Sequence, residues 1–420
     1  LLTIKPTLCT KRELLSRLRN TSYPPIKNKL FVIFLFFFSL IFNVYTMSVK
    51  RFFSMNAKAL RAFGSTVTST ASGFKPMPMT VSNAADTLAK ARSSKPRSDW
   101  TKDEISKIYN APLMDLIFNA QLKHREYQKP AEVQLCTLVN IKQGGCTENC
   151  SYCSQSSKHD TGVQAEKLDL DAVMDIARDA KARGGTRVCL GSAWRDMQGR
   201  KSALDKISKV VKQINDELKL ETCVTLGMIN EKQAEILKQN GLTAYNHNID
   251  TSREHYPNVV TTRTYDERLE TIKNVQKAGI KACTGGILGL GETAQDHVSF
   301  LYTLSNMSPH PESLPINRLV PIQGTPIVEV LKNAPKERQL EFDAILRTIA
   351  TARLIMPESI IRLAAGRYTM KEHEQFLCFM SGVNAIFTGK RMLTTMCNGW
   401  DEDITMLKKW GLKPMESFTK

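Results

Sequence analysis

Acidic residues are almost missing from the first hundred positions. Glu13, Asp86 and Asp99 stand there against sixteen Lys or Arg, a balance of +13, so the other 320 residues carry only +4 of the formal +17. A strongly basic chain raises nucleic acid or anionic membrane as a partner, but a nearly neutral body argues against nucleic acid. The apolar run Leu30–Val44 has only fifteen residues, where a spanning helix needs about 20. With 42% hydrophobic and 24% charged residues, the composition argues against global disorder, a collagenous repeat and a polytopic membrane protein. The ten cysteines follow no paired disulfide pattern.

The basic front is rich in Ser, Thr and Pro and reads as a leader. From Met47 it runs Met-Ser-Val-Lys-Arg-Phe-Phe-Ser-Met-Asn-Ala-Lys-Ala-Leu-Arg-Ala-Phe-Gly, with Lys50, Arg51, Lys58 and Arg61 among apolar residues. No acid follows until Asp86, a composition matching a mitochondrial transit peptide. We therefore read residues 1–46 as an untranslated or anchor-like leader and 47–98 as transit peptide and linker. On that reading Met47 is the biological start and the destination is the mitochondrial matrix. The alternative for Leu30–Val44 is a real membrane anchor.

From about Asp99 the texture changes to short β-branched runs alternating with amphipathic stretches, the mark of repeated βα units around a parallel sheet. Strands are expected at Val133–Ile141, Thr186–Leu190, Glu221–Leu226, Ala244–Ile249, Lys281–Leu288, Ser313–Leu319, Ile360–Ala364 and Asn384–Phe387. Helices are expected at Asp169–Arg183, Ala203–Leu218, Glu231–Gln239, Tyr265–Ala278, Gln295–Ser305, Lys336–Leu354 and Met370–Phe379. This predicts an α/β fold, a (β/α)₈ TIM-type barrel over 133–415. A helical cap over 99–132 and a disordered basic N-terminal leader would precede it. Chemistry should then cluster at the C-terminal strand ends, where Cys146, Cys189, Gly227, Asp250, Gly289 and Gly366 fall.

The first strand runs into Gly144-Gly-Cys-Thr-Glu-Asn-Cys-Ser-Tyr-Cys-Ser-Gln-Ser156. Three thiols, Cys146, Cys150 and Cys153, so close on one loop point to a metal or iron–sulfur site. Zinc would want a fourth ligand, and His159 could serve. Cys189, Cys223 and Cys283 each sit in an expected strand, either as small buried hydrophobes or, if inward-facing, as a group meeting in the lumen. Cys136 and Cys378 read as core filler, and Cys9 and Cys397 match no ligand position.

The spacing C-x₃-C-x₂-C resembles the cluster loop of the radical S-adenosylmethionine (SAM) superfamily. That resemblance implies a [4Fe–4S] cluster held by Cys146, Cys150 and Cys153, with SAM on the open iron. Tyr152 would then pack near the adenine, or simply on the loop. Further segments resemble the biotin synthase family in that family's order: Tyr245-Asn-His-Asn-Ile-Asp-Thr-Ser252, Thr262-Arg-Thr-Tyr-Asp-Glu-Arg268, Gly285-Gly-Ile-Leu-Gly-Leu-Gly-Glu-Thr293, Pro315-Ile-Asn317 and Ile361-Arg-Leu-Ala-Ala-Gly-Arg367. The family likeness implies a [2Fe–2S] cluster held by Cys189, Cys223, Cys283 and Arg362. From the residues alone Arg362 would be an inward arginine paired with a buried carboxylate, because a guanidinium has no free lone pair.

Asn246, Asn248 and Asp250 alternate along the fourth strand and so share a face. By resemblance Asn248 and Asp250 contact the SAM ribose, and Asn246, Asn248 and Asn317 contact the ureido ring of a substrate. Asn248 and Asp250 could also cap the following turn. Gly289 and Glu292 belong to a G-x-I-x-G-x-x-E stretch that in the superfamily approaches the adenosine.

The resemblance implies conversion of dethiobiotin to biotin by sulfur insertion. A 5′-deoxyadenosyl radical would open the C–H bonds and the inner cluster would give up a sulfide. It further implies a ferredoxin- or flavodoxin-type reductant, iron–sulfur assembly machinery and a homodimer. Relatives of hydrogenase-maturation or methylornithine type are the alternative, and they share the first loop without the full inner set.

Overall fold

The computed structural model describes residues 81–167, 169–389 and 396–417, all within the unit Pro78–Lys420. The leader 1–46, with its run Leu30–Val44 and Cys9, and the transit-peptide stretch up to residue 80 lie outside them. Among the described residues no helix is long and apolar enough to cross a membrane.

Eight parallel strands close into a barrel. They are β1 (Glu132–Gln143), β2 (Arg187–Ser192), β3 (Glu221–Thr225), β4 (Ala244–Asn246), β5 (Lys281–Cys283, resumed at Gly286–Leu288), β6 (Ser313–Arg318), β7 (Ile360–Leu363) and β8 (Ala385–Phe387). Each pairs with the next, and β8 returns to β1 with Ala385 opposite Gln134 and Phe387 opposite Cys136. All six residues of β2 are buried, as expected for a strand covered by helices on one side and by the lumen filling on the other. The helices between strands turn one apolar stripe inward. In Lys201–Leu218 that stripe is Leu204, Ile207, Val211, Ile214 and Leu218, recurring at the three- and four-residue steps of a helix. Several helices open on a reciprocal capping pair, among them Thr264 with Glu267 and Thr293 with Asp296.

Ahead of β1, helices Lys102–Tyr109 and Leu113–Tyr127 pack against Phe342–Ile355. A further helix, Val81–Ser93, lies inside the stretch expected to be linker. It buries Ala84, Leu88 and Ala91, so ordered structure begins before the change of texture at Asp99.

Four other elements differ from expectation. The fifth strand is broken at Thr284–Gly285, where Gly285 N donates to the Asn248 side chain; only glycine fits there, since a Cβ would lie 2.0 Å from Pro315 O. The helix expected over Lys336–Leu354 is a single 3₁₀ turn, Lys336–Arg338, then an extended joint, then Phe342–Ile355. Helices Ile327–Lys332 and Trp400–Lys409 occupy stretches where none was expected.

Candidate active site

The loop after β1 turns on Gly144 and Gly145, both in the left-handed region at φ +64°. A side chain at Gly144 would meet Gln164 O at 2.8 Å, so glycine is required to swing the chain into the thiol loop. The loop is then stitched down by backbone bonds: Ser151 N donates to Val259 O at 2.9 Å and Ile327 N to Ser151 O at 3.0 Å. Asn149 Oδ1 accepts from the amides of Thr261 and Thr262 at 3.1 and 3.2 Å. Buried Glu148 pairs with Arg263 at 3.2 Å and with Arg195 at 3.4 Å.

Cys146, Cys150 and Cys153 all line one cavity of about 320 Å³. Burial pushes the Cys150 thiol up to about 12 and Cys153 up to about 11, so a metal that takes them must displace their protons. Zinc with His159 as fourth ligand finds no support. His159 Nε2 lies 3.0 Å from the Cys150 carbonyl oxygen. Among the described residues no three His, Cys, Asp or Glu side chains converge as on a single ion.

Tyr152, Asn246, Asn248, Asp250 and Asn317 line the same cavity. Strand alternation does not place the middle three, for β4 ends at Asn246 and His247 faces the cavity too. The chain instead leaves the strand and takes a left-handed turn at Asp250, φ +65°. That turn is held by Ile287 N donating to Asp250 O at 2.7 Å. Gly286 permits the approach, since a Cβ there would sit 2.5 Å from Asp250 O.

Arg268, a residue given no role by the sequence, binds this corner together. Its guanidinium lies 2.5 Å from the Asp250 carboxylate and donates to Asn248 O at 2.6 Å and Tyr256 Oη at 2.7 Å. Asn248 Oδ1 accepts from Gly285 N at 3.1 Å. Asn317 donates to Gly286 O at 2.8 Å and accepts from Ala365 N at 3.0 Å. Each amide keeps a second N–H and a second lone pair for a ligand.

Gly289 and Glu292 are not among the residues lining the cavity. Glu292 Oε1 accepts from Gly289 N at 2.6 Å and lies 2.9 Å from His297 Nε2, whose Nδ1 lies 2.8 Å from Tyr109 Oη. The pair thus ties the turn after β5 to helix Ala294–Ser305 and to the N-terminal helices.

Deeper in the lumen, barrel register brings the strand thiols together. Cys189 is directly opposite Cys223 on the neighbouring strand, and Cys283 is opposite Asn246, whose Nδ2 lies 3.3 Å from Cys283 Sγ. Cys136, buried in the core as expected, also joins them: its Sγ is 3.2 Å from Cys189 Sγ. All four are buried. Arg362 reaches the same layer, with one terminal nitrogen 3.9 Å from Cys283 Sγ. That nitrogen donates to Ser313 Oγ at 2.9 Å, and the other donates to Gln134 Oε1. Among the described residues no carboxylate pairs with Arg362 directly. Glu221 lies one step away, 3.4 Å from Gln134 Nε2, and it binds Arg187, which also pairs with Glu312 at 2.7 Å.

Both places suit the groups the resemblance implies. The upper wall carries buried polar atoms with no hydrogen-bond partner, Ser192 Oγ and His247 Nε2. The lower layer offers clustered thiols and the unpartnered Nε of Arg362, a sulfur-rich donor set of the kind that holds iron–sulfur clusters.

Comparisons with known proteins agree with this geometry. The family model described as Radical SAM superfamily matches residues 140–301, and that described as Biotin and Thiamin Synthesis associated domain matches 315–413. The chain is 64% identical over 344 residues to "Biotin synthase, mitochondrial" of Saccharomyces cerevisiae, covering 81% of this chain and 91% of that protein. The protein of the same name from Arabidopsis thaliana is 50% identical, covering 76% and 82%. Among solved structures, a methylornithine synthase matches with TM-score 0.65 at 16% identity over 79% of this chain and 97% of that one. A maturase of the [FeFe]-hydrogenase matches with TM-score 0.68 at 20% identity over 81% and 78%. At those identities the two structures speak for the fold alone.

Proposed function

The chain belongs to the biotin synthase family of radical SAM enzymes, and from that premise we propose that it converts dethiobiotin to biotin by inserting sulfur between two unactivated carbons. Such C–H bonds have no acidic proton, so a radical cofactor must open them. When bound, a [4Fe–4S] cluster with SAM supplies the 5′-deoxyadenosyl radical, and a [2Fe–2S] cluster supplies the sulfide.

Cys146, Cys150 and Cys153 would hold the first cluster, and Cys189, Cys223, Cys283 and Arg362 the second. Asp250, held in place by Arg268, and Asn248 would accept from the SAM ribose hydroxyls, with Tyr152 beside the adenine. Asn246, Asn248 and Asn317 present amides to the ureido ring. Gly289 and Glu292 shape the turn behind the adenosine rather than touch it. Leu138, Ile287, Leu319 and Phe387, all on the cavity wall, keep water from the reacting carbons.

One observation carries this reading: Cys189 lines the cavity together with the three loop thiols. A substrate held there meets SAM chemistry above and the sulfur-bearing layer below. The alternative of a maturase or methylornithine type rests on fold alone. The mitochondrial names of the relatives from Saccharomyces cerevisiae and Arabidopsis thaliana support delivery to the matrix. There a low-potential ferredoxin or flavodoxin would feed a homodimer, and iron–sulfur assembly machinery would rebuild the inner cluster.

The test is anaerobic reconstitution with iron and sulfide, followed by dethiobiotin, SAM and a low-potential reductant. Biotin detected by mass spectrometry is the expected result. A protein that holds only zinc, or that cleaves SAM but never yields biotin, overturns the reading.

A further inference from the structure

Three of the four lumenal thiols are accounted for by the proposed ligand set, and the fourth, Cys136, is not. It sits on β1 two residues before Leu138, which is opposite Cys189. Side chains two apart on a strand share a face, so Gln134, Cys136 and Leu138 project together. Gln134 accepts from Arg362, and Cys136 Sγ lies 3.2 Å from Cys189 Sγ. Consecutive inward residues of one strand therefore touch two proposed ligands that come from either side of β1. Cys136 belongs to a small buried cluster with Ala244, Ala364, Phe387 and the other three lumenal cysteines, and the Arg362 and Arg187 guanidiniums also act on it. A sulfur of Cys189 that ligates iron has no proton to give, so across this contact only Cys136 can be the donor.

We infer that Cys136 is a positioning residue of the inner site, donating a hydrogen bond from its thiol to the sulfur of Cys189. This rests on the reading of the inner layer as a [2Fe–2S] site. Hydrogen bonds to ligating sulfurs orient them and set the potential of the cluster. A donor on Cys189 withdraws charge from that sulfur, favours the reduced, more negative cluster and so raises its potential.

The test uses the full chain reconstituted with iron and sulfide, unchanged and as Cys136→Ser, Cys136→Ala and Cys136→Val. Inner-cluster iron and sulfide are counted by Mössbauer spectroscopy and acid-labile sulfide, and the [2Fe–2S] potential is measured by redox titration. All variants should keep the cluster. Ala and Val, which cannot donate, should lower its potential, and Ser should restore it. Val fills the volume that Ala leaves empty, so a folding defect confined to Ala does not confuse the result. A potential indifferent to residue 136 overturns the inference and leaves the proposed function standing. Loss of the inner cluster in Ala and Val, with retention in Arg362→Ala, overturns it in favour of Cys136 as a ligand. If the unchanged chain forms no inner cluster, the proposed function falls and takes the inference with it.

Discussion

The two thiol groups of this barrel are built by opposite means. The upper one is local: Cys146, Cys150 and Cys153 occupy one loop, turned by two left-handed glycines and tied by backbone bonds to Val259 and Ile327. The lower one is wholly non-local. Cys136, Cys189, Cys223 and Cys283 come from β1, β2, β3 and β5 and meet only when the barrel closes. The loop is held by a few backbone bonds to its neighbours, whereas the layer is locked by strand register and by the buried Arg187–Glu221 pair with half-buried Glu312. On the proposed function that division separates a site that binds SAM from one that presents sulfur.

The sharpest way to break the comparison is to remove one thiol from each group. Cys150→Ala should abolish both SAM cleavage and biotin formation while inner-cluster absorbance survives. Chromatography for 5′-deoxyadenosine and for biotin checks this, and continued cleavage would show that the loop thiols are not the radical-generating site. Cys223→Ala should do the reverse, with 5′-deoxyadenosine still formed, biotin lost and the inner cluster gone.

A smaller effect is expected at the corner joining the two levels. Arg268→Met leaves the buried Asp250 carboxylate without its partner and should cost about 3–5 kcal/mol of stability, read as a lowered Tm. The KM for SAM should rise more than kcat falls. An unchanged KM would detach Asp250 from SAM. Least affected should be His159→Ala, which removes one hydrogen bond to the Cys150 carbonyl, worth about 1 kcal/mol. Its iron content should match that of the unchanged chain, and a loss of metal would return His159 to the ligand set.

The same local and non-local contrast decides what could be read from the residues. The upper loop was legible because spacing alone brings its thiols together, and the eight strands because buried parallel strands are continuous apolar runs. The contact of Cys136 with Cys189 was not legible. A cysteine in an apolar strand looks like core until the closing pair of β1 with β8 and the stagger of β1 on β2 put its sulfur against Cys189. Arg268 was missed because it acts from helix Tyr265–Lys277 on a turn eighteen residues earlier, at Asp250. The break in β5 comes where Gly285 N donates to the Asn248 side chain from the neighbouring strand's extension, a contact that periodicity does not register. Helix Val81–Ser93 escaped because the surrounding leader composition outweighed a short apolar stripe of Ala84, Leu88 and Ala91.

The proposed reaction transfers sulfur from the inner layer into the product. It is tested most directly by a single-turnover reaction of the reconstituted protein with dethiobiotin, SAM and reductant, following [2Fe–2S] absorbance and biotin in the same sample. We predict that biotin appears in step with the loss of inner-cluster absorbance and stops when that cluster is spent. Biotin formed while the inner cluster stays intact, or repeated turnover with no sulfur supplied, would contradict the account.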